Sequence, residues 1–297
     1  MTCALLTIGV DGGATRCRAR LRNANGQALA EASGAAANIH VDFAGAIAAL
    51  QAVVDELLTK AGLKHADRNL IAIGLGLAGF KEESDAARVA AAFPGFRVVC
   101  AANDATAACI GAHAGADGGL IIAGTGSAAV ARVRGKETII GGRGFALGDD
   151  GSGSHIGLDA LRAAMRSHDG LGPASALTDD IIRHFDGDPV AMMLWARDAK
   201  PGDFGAFAPR VFERAQAHDL VALEIARGAA RAIGVLTRGV VALGAERVAL
   251  VGGVGDALRP YYEPDIAARL EPPLYDPTDG AILFAGGAVA PQREAVP

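Results

Sequence analysis

The sequence lacks several features that mark membrane, secreted and nucleic-acid-binding proteins. No apolar run reaches the roughly 18 residues that a membrane-spanning helix needs. The net charge is −5 and only five of the 28 basic residues are lysines, so no strong positive field attracts nucleic acid or anionic lipid. The four cysteines form no C-x-x-C motif, and none has a histidine at zinc-ligand spacing. We therefore expect free thiols in a reducing cytoplasm, with no nucleic-acid or membrane partner.

The sequence does contain enough apolar residues to bury a full core. Hydrophobic residues make up 51% of the 297 positions. A chain of this length predicts two domains, with one large α/β unit as the alternative. The first ten residues are apolar, but they lack a basic start and lead directly into Asp11-Gly12-Gly13. We therefore do not expect a signal peptide.

The opening segment predicts three antiparallel strands in succession. Residues 5–10 form an apolar strand, a turn follows at 11–14, and residues 15–21 alternate apolar with basic side chains. Asn25-Gly26 is typical of a hairpin turn before a third strand. A dinucleotide-binding fold does not begin in this way.

This opening recurs later in the chain. Residues 8–12 align with residues 120–124, 112 positions later, and each copy has a strand, a turn of small residues and a second strand. A duplication on this scale predicts an α/β fold built from two similar domains. We assign them to residues 1–116 and 117–297, with the last helix free to pack back on the first domain.

Two glycine-rich turns match each other in this duplication. Residues 11–15 bring together a carboxylate, two glycines and a hydroxyl, so that backbone N–H groups can approach phosphate and Asp11 can hold hydrated Mg²⁺. Residues 124–127 are equally small and rich in hydroxyls. The two matched turns together predict a two-sided clamp on a polyphosphate. The alternative for residues 11–15 is an ordinary hairpin turn.

Two further glycine-rich turns have competing interpretations. Residues 252–255 lead from a strand into a helix. A glycine turn at this position can allow close contact with a nucleotide, or it can be a plain connection between the two elements. Residues 74–79 match G-x-G-x-x-G, but Ile71, Ile73 and Leu75 keep a period of two, so we expect a strand there rather than a dinucleotide site. No P-loop sequence occurs, which excludes a P-loop NTPase.

Asp104 is the main candidate for acid–base chemistry. Asn103-Asp104 lies between a strand and a helix, where an aspartate can accept a proton from a substrate hydroxyl. The alternative is that Asp104 caps the helix. None of the seven histidines pairs with another at ligand spacing, and we interpret His113 and His155 as surface or packing residues.

A long glycine-rich segment, residues 141–153, supplies candidates for sugar recognition. Arg143, Asp149 and Asp150 carry the kinds of side chain that read sugar hydroxyls. We expect Arg143 to pair with one of the two acids. Asp150 or Ser152 can alternatively cap the helix that follows.

Taken together, these segments resemble the N-acetylglucosamine kinase/glucosamine kinase family. That family lies in the BadF/BadG/BcrA/BcrD-type ATPase branch of the actin, hexokinase and heat-shock-chaperone superfamily. The resemblance covers essentially the whole chain and implies a homodimer of subunits with two ribonuclease-H-like (actin-like ATPase) domains around a cleft. It rests on residues 9–15, 37–39, 103–105, 123–127, 141–145 and 148–153.

The resemblance also implies roles for individual residues. Asp104 is the expected base for the sugar 6-hydroxyl, and Asp11 is the expected ligand of Mg²⁺. The implied sugar-contacting positions are Asn38, Asn103, Gly126, Ser127, Arg143, Gly144 and Asp149. The implied ATP-contacting positions are Gly12, Gly13, Thr15, Gly124, Thr125, Ala215, Gly252 and Gly253.

The reaction that the resemblance implies is transfer of the γ-phosphate of ATP to the 6-hydroxyl of glucosamine or N-acetylglucosamine. Arg143 and residues 200–209 look like those of bacterial glucosamine kinases, whereas animal N-acetylglucosamine kinases have tryptophan at the position of Arg143. Glucosamine is therefore favoured. Two alternatives stay open: an activator ATPase of a CoA-ester reductase or dehydratase, and a catalytically silent sugar sensor.

Overall fold

The computed structural model describes residues 6–13 and 15–290. Its internal contacts divide the chain into two compact units. Unit 1 comprises the residues up to Gly118 together with those from Pro273 onward, and unit 2 spans Gly119–Pro272. The sequence predicts domains at residues 1–116 and 117–297, with a last helix that can pack back on the first domain.

Unit 1 contains a mixed five-stranded sheet. β1 (Leu6–Gly12), β2 (Cys17–Asn23) and β3 (Ala28–Gly34) are antiparallel neighbours. β4 (Ile71–Leu77) pairs parallel with β1, and β5 (Val98–Asn103) pairs parallel with β4. The strand order is β3-β2-β1-β4-β5. Every residue of β4 is buried, which confirms that a strand runs into the G-x-G-x-x-G motif.

The helices of unit 1 cover this sheet. Those in the first segment of the chain are α1 (Phe43–Lys60), α2 (Glu83–Ala91) and α3 (Asp104–Ala112), with a 3₁₀ turn at His65–Leu70. The helical spacing of apolar residues in α1 gives it one apolar face, which enters a common core with β1 and β4. That core includes Ile8, Val10, Leu50, Val54, Leu57, Ile73, Leu75 and Leu77.

The cysteines of unit 1 agree with the expectation of free thiols where the structure describes them. Cys17 and Cys109 are buried and Cys100 is half-buried, and none of these three thiols forms a disulfide bond among the described residues. Cys3 lies outside the described residues.

Unit 2 contains a second five-stranded sheet and most of the helices. Its strands are β6 (Gly118–Ala123), β7 (Ser127–Val133), β8 (Lys136–Gly141), β9 (Val248–Val251) and β10 (Leu270–Glu271), in the order β10-β9-β6-β7-β8. Its helices are α4 (Gly153–His168), α5 (Ala176–His184), α6 (Pro189–Asp198), α7 (Pro201–Gly205), α8 (Ala208–Gln216), α9 (Leu220–Ala242), α10 (Gly253–Ala257) and α11 (Pro264–Ala267). A further 3₁₀ turn lies at Arg259–Tyr261.

The two sheets share one topology. In each, the first three strands of the unit lie side by side, and the fourth and fifth extend the sheet from the first strand in parallel. This shared order confirms the duplication predicted from the sequence. In the part of the chain that the structure describes, no helix combines the length and apolarity needed to span a membrane.

The chain returns to unit 1 with α12 (Pro277–Phe284), which packs against α3, β1 and β4. The approach to α3 is close because Gly280 has no side chain: a Cβ there would lie 1.8 Å from the carbonyl oxygen of Ala107. Asp279 is buried in this contact and forms ion pairs with Arg20 and Arg22 of β2. α12 is therefore an integral part of unit 1.

Candidate active site

The carboxyl ends of β1, β4 and β5 bring the candidate residues of unit 1 to one edge of its sheet. Gly76 of β4 is the register partner of Asp11 on one side and of Ala102 on the other. Asp11 near the end of β1 and Asp104 just after β5 therefore lie at the same edge. Ligands of open α/β sheets bind at such carboxyl ends.

Asp11 and the turn after β1 are fixed by the neighbouring strands. Arg18, the register partner of Asp11 on β2, donates from Nη2 to Asp11 Oδ2 at 2.8 Å. The carbonyl of Gly12 accepts from the Ala78 N–H at 2.8 Å, and the Gly13 N–H donates back across the turn to the Arg16 carbonyl at 3.1 Å. Thr15 is exposed beside this turn, and Ala14 between them lies outside the described residues.

Asn103, and not Asp104, provides the N-cap of α3. Asn103 Oδ1 accepts from the Ala105 N–H at 2.9 Å, while its Nδ2 donates to the Phe80 carbonyl at 3.0 Å. Asp104 is the first residue of the helix, and its Oδ1 accepts from the same Ala105 N–H at 2.8 Å. The capping alternative therefore falls to Asn103, and Asp104 is available for another role.

The surroundings of Asp104 change its acidity. Burial raises the pKa of the Asp104 carboxyl above its ordinary value, and the negative charge of Asp11 raises it further, although the Ala105 N–H acts in the opposite direction. Two carboxylates that repel each other at one sheet edge fit a divalent cation. Mg²⁺ in particular is held by one or two carboxylates together with water and substrate phosphates.

Asn38 lies at the same edge of the unit 1 sheet. Residues Asn38 and Ala78 form a parallel bridge, and the Ile39 N–H donates to the Ala78 carbonyl at 3.1 Å. Asn38 Oδ1 accepts from the N–H groups of His40 and Val41 at 3.0 and 3.2 Å. Its Nδ2 has no partner among the described residues, so this amide can donate to a ligand.

The second matched turn lies at the end of β6 in unit 2 and is held by the start of α4. The N–H groups of Gly153 and Ser154 donate to the carbonyls of Gly124 and Thr125 at 2.8 and 3.3 Å. Ser154 Oγ also donates to the Thr125 carbonyl, at 2.7 Å. The Thr125 side chain is exposed, so its hydroxyl can reach a ligand.

Ser127 and Asp149 connect this turn to the glycine-rich segment 142–151, which we call the unit 2 loop. Ser127 is buried, and its Oγ donates to the Asp150 carbonyl at 2.8 Å. Asp149 Oδ1 accepts from the Ser127 N–H at 3.3 Å, and a Cβ on Gly126 would lie 3.0 Å from the Asp149 carboxylate. The backbone of Asp149 has a φ of 61°, a left-handed conformation that non-glycine residues adopt rarely and that clusters at ligand sites.

Arg143 does not form the predicted ion pair. It is exposed on the unit 2 loop beside Gly144, and it has no acidic partner among the described residues. Asp150 instead lies 3.5 Å from His155 Nδ1. Ser152 is the N-cap of α4, so the capping alternative falls to Ser152 rather than to Asp150.

His155 is a packing residue with a specific role that its sequence position did not reveal. Its Nε2 lies 2.9 Å from the Phe145 carbonyl, and its ring meets the Phe145 ring edge-on at 5.1 Å between centroids. Phe145 also stacks on Phe204 of α7 at 5.2 Å. His155 and the aromatic core thus hold the middle of the unit 2 loop in place.

A cavity of about 600 Å³ in unit 2 adjoins the 124–127 turn. Gly253 lies in its wall. Gly252 has a φ of 102°, and a Cβ there would lie 2.2 Å from the Ala123 carbonyl oxygen, so both its conformation and its surroundings require glycine. The cavity combines an apolar wall with a few polar groups, as nucleotide pockets do. It is lined by Gly124, Thr125, Gly205, Ala208, Pro209, Phe212, Glu213, Gln216, Gly253, Val254 and Ala257.

The expected contact of Ala215 with ATP is not supported by its position. Its side chain is buried in the core of unit 2 and does not line the cavity. Pro209, Phe212, Glu213 and Gln216 line it instead, because positions three and four apart share one face of α8. The spacing of these four residues is the sequence signal that identifies the side of α8 that faces the cavity.

Comparison with known proteins agrees with this architecture. Residues 8–285 match the BadF/BadG/BcrA/BcrD ATPase family. A glucosamine kinase of Vibrio cholerae is 35% identical over 283 residues, covering 94% of this chain and 95% of that protein. An N-acetyl-D-glucosamine kinase of Dictyostelium discoideum is 31% identical over 76% of each chain.

A solved structure extends the comparison to the fold. The crystal structure of a protein from Chromobacterium violaceum, described as an N-acetylglucosamine kinase, has a TM-score of 0.84 and 34% identity, covering 94% of this chain and 98% of that one. With the two five-stranded sheets of shared topology, it confirms the predicted α/β fold of two actin-like ATPase domains. The chain therefore belongs to the BadF/BadG/BcrA/BcrD ATPase family.

Proposed function

We propose that this protein is an ATP-dependent amino-sugar kinase. It transfers the γ-phosphate of ATP to the 6-hydroxyl of glucosamine or N-acetylglucosamine, with glucosamine favoured. The single observation that carries the proposal is Asp104, a half-buried carboxylate at a sheet edge whose capping role is taken by Asn103. The names of the relatives, which are glucosamine and N-acetylglucosamine kinases, support the choice of substrate.

Asp104 is the proposed base. Phosphoryl transfer needs little covalent help from the protein, but the attacking hydroxyl must be aimed and its proton accepted. A carboxylate whose pKa is raised by burial is a better proton acceptor near neutral pH than an ordinary aspartate. The proton of the 6-hydroxyl passes to Asp104 as the hydroxyl oxygen attacks the γ-phosphorus, and the bond from that phosphorus to the β-phosphate oxygen breaks to release ADP.

The nucleotide is assigned to the cavity of unit 2 and to the two glycine-rich turns. The nucleoside binds in the 600 Å³ cavity, whose end at Gly124, Thr125 and Gly253 takes the phosphates. Gly12, Gly13 and Thr15 of unit 1 bind phosphate as well. Mg²⁺, when bound, neutralises phosphate charge and is held by Asp11.

The sugar is assigned to groups that each unit offers at its own candidate site. In unit 1 these are Asn103 and Asn38, whose Nδ2 is available to a sugar hydroxyl. In unit 2 the Asp149 carboxylate can pair with the ammonium of glucosamine, which supports the preference for that sugar. The remaining sugar-contacting positions in this proposal are Gly126, Ser127, Arg143 and Gly144.

A coupled assay of ADP release tests the function. We expect turnover with glucosamine and N-acetylglucosamine that exceeds turnover with glucose or N-acetylmannosamine, and a product that NMR identifies as the 6-phosphate. The Asp104→Asn protein, purified in parallel, controls for contaminating kinases. Sugar binding without turnover would favour the sensor, and iron and labile sulfide in the purified protein would favour the activator ATPase.

The resemblance also leads us to propose a homodimer in the cytoplasm. Sedimentation equilibrium across a range of protein concentrations tests the oligomeric state. A single species at the mass of one chain would contradict the proposed homodimer.

A further inference from the structure

The side chain of His155 joins the unit 2 loop to α4. His155 lies in the first turn of that helix, after the N-cap Ser152. Its Nε2 lies 2.9 Å from the Phe145 carbonyl oxygen, and its Nδ1 lies 3.5 Å from Asp150 Oδ1. One imidazole ring therefore connects two parts of the loop that are five residues apart.

The two groups that His155 contacts lie directly beside residues that the proposed function gives to the sugar. Phe145 follows Gly144, and Asp150 follows Asp149. Because adjacent residues share a peptide unit, a shift at either contact moves a proposed sugar-binding residue. Asp149 is the more sensitive of the two, since its left-handed backbone, with a φ of 61°, persists only where its surroundings hold it.

The partners of His155 determine which ring nitrogens must carry hydrogen. The Phe145 carbonyl only accepts hydrogen bonds, so Nε2 is the donor in that contact. In a neutral ring, Nδ1 then has a lone pair that faces the Asp150 carboxylate, which also only accepts. In a protonated ring, Nδ1 carries hydrogen and the same contact becomes an ion pair. The protonated ring is therefore the form that satisfies both contacts with the loop.

Asp150 is the carboxylate that makes this contact depend on charge. Among the described residues, no other carboxylate lies within 4 Å of a His155 ring nitrogen. The remaining charged residues of the loop are Arg143, which is exposed, and Asp149, which accepts from the Ser127 N–H. Charged side chains of α4 and of the helices packed against it pair with other groups: Asp159 with Arg162, Asp203 with the Lys200 N–H, Asp180 with Arg214, and Glu224 with Arg231.

We infer that His155 is a positioning residue of the sugar site, and that its protonated ring holds the unit 2 loop in the conformation that binds sugar. This inference rests on the proposed function, because that function places sugar at Gly144 and Asp149. It gives sugar affinity a pH dependence that comes from the protein. A rise in pH removes the Nδ1 proton, breaks the pair with Asp150 and raises the sugar Kd.

Calorimetric titration with glucosamine and with N-acetylglucosamine, without nucleotide, tests the inference between about pH 5.5 and pH 8.5, where histidines change charge. His155→Gln keeps an amide donor for the Phe145 carbonyl but cannot be protonated. The measured quantity is the Kd of this variant divided by the wild-type Kd at the same pH, because titration of the sugar amine cancels in that ratio. We expect the ratio to fall by about two- to fivefold as pH rises, the scale of a partly exposed ion pair.

Two further variants separate titration of His155 from its packing. Asp150→Asn keeps the histidine but removes the charge that pairs with it, so this variant should lose the pH dependence as His155→Gln does. His155→Ala removes both contacts with the loop and should bind sugar more weakly than His155→Gln at every pH. Thermal melts of each variant verify that it is folded.

His184 provides a matched control. Its ring also packs edge-on against aromatic rings of unit 2, those of Phe185 and Phe207, but it does not contact the unit 2 loop. His184→Gln should therefore keep the pH profile of the wild type. If the ratio for His155→Gln stays constant with pH, or if Asp150→Asn retains the wild-type profile, His155 only packs and the inference is wrong.

A measurement that needs no sugar keeps the inference separate from the proposed function. Amide hydrogen exchange of residues 144–151 reports how firmly the loop is held, and the excess protection of wild type over His155→Gln should fall as pH rises. A protein that phosphorylates amino sugars, with the same Kd ratio at every pH, contradicts the inference and leaves the proposed function intact. A protein that phosphorylates none of them, but shows this change in protection, supports the hold of protonated His155 on the loop and contradicts the kinase.

Discussion

At the scale of single residues, Asp104 differs from a capping aspartate because Asn103 already performs that task. Asp104→Asn keeps the size of the side chain but removes the proton acceptor. We expect kcat to fall by roughly 10²- to 10⁴-fold, the usual contribution of a general base, with a much smaller change in sugar Kd. Steady-state kinetics and sugar titration of this variant provide the measurement, and turnover close to wild type would contradict the proposed base.

The same residue predicts a stability effect that depends on pH. Because burial raises the pKa of Asp104, the folded protein binds its proton more readily than the unfolded chain does. The charged carboxylate therefore destabilises the fold at neutral pH, and this cost disappears as pH falls through the raised pKa. Asp104→Asn should melt at a higher temperature than wild type at pH 7, with a difference that shrinks towards pH 4.

Asp85 offers a control of opposite sign for this experiment. Hydrogen bonds, first from the Lys81 N–H, lower the pKa of Asp85, so its charged form stabilises the fold at neutral pH. Asp85→Asn should therefore melt at a lower temperature than wild type at pH 7. A shift of the same sign in both variants would show that loss of a negative charge, rather than burial of Asp104, explains the effect.

At the scale of elements, α12 is joined to β2 through Asp279, which is 1% exposed and pairs with two arginines. Asp279→Ala leaves the partly buried charges of Arg20 and Arg22 without this carboxylate. We expect the free energy of unfolding to fall by about 3–5 kcal/mol, as when one partner of a buried ion pair is removed. Urea denaturation of the wild type and of Asp279→Ala measures this difference in the free energy of unfolding.

Glu263 provides the matched control for Asp279. It pairs with Arg238 of α9 at an exposed site, where both side chains are about half accessible. Exposed ion pairs of this kind contribute roughly 0–1 kcal/mol to the free energy of unfolding, so Glu263→Ala should change that free energy little. Equal losses in the two variants would mean that the network between α12 and β2 adds nothing beyond a surface ion pair.

The elements also show which parts of the fold the sequence could predict. Local patterns were sufficient for the strands of both hairpins, for α1 and for the strand that enters the G-x-G-x-x-G motif, because hydrophobic period and turn residues act over a few positions. The pairing of Arg20 with Asp276 joins positions 256 residues apart, and no local pattern reveals it. Arg18 was visible only as one of several alternating arginines.

The candidate site was predictable to a similar extent. The position of Asp104 after a strand was correctly predicted, but only hydrogen-bond geometry shows that Asn103 rather than Asp104 caps the helix. The predicted ion pair of Arg143 was wrong because Asp150 faces His155, a residue of the following helix. The contact of Ala215 with ATP stays a prediction: its side chain lies in the core of unit 2, on a different face of α8 from the residues that line the cavity.

At the scale of the whole molecule, unit 1 is built from both ends of the chain. α12 packs on β1, β4 and α3, and it supplies the carboxylates for Arg20 and Arg22. We expect truncation after Pro272 to unfold unit 1 and to leave unit 2 folded. Hydrogen exchange should then show loss of protection in β1, β4 and α3, with protection retained in β6, β7 and α4. Retained protection of β1 would show that the sheet does not depend on α12.

The return of α12 to unit 1 fixes the order in which the units can form during synthesis. All of unit 2 lies between the two segments of unit 1, so it emerges from the ribosome before Pro277–Phe284 does. Until then, the arginines of β2 and the helix-binding side of β1 and β4 have no partner from α12. The nascent chain therefore carries an incomplete N-terminal sheet for the whole time that unit 2 is being made, and a chaperone that shields apolar strands would act in this interval.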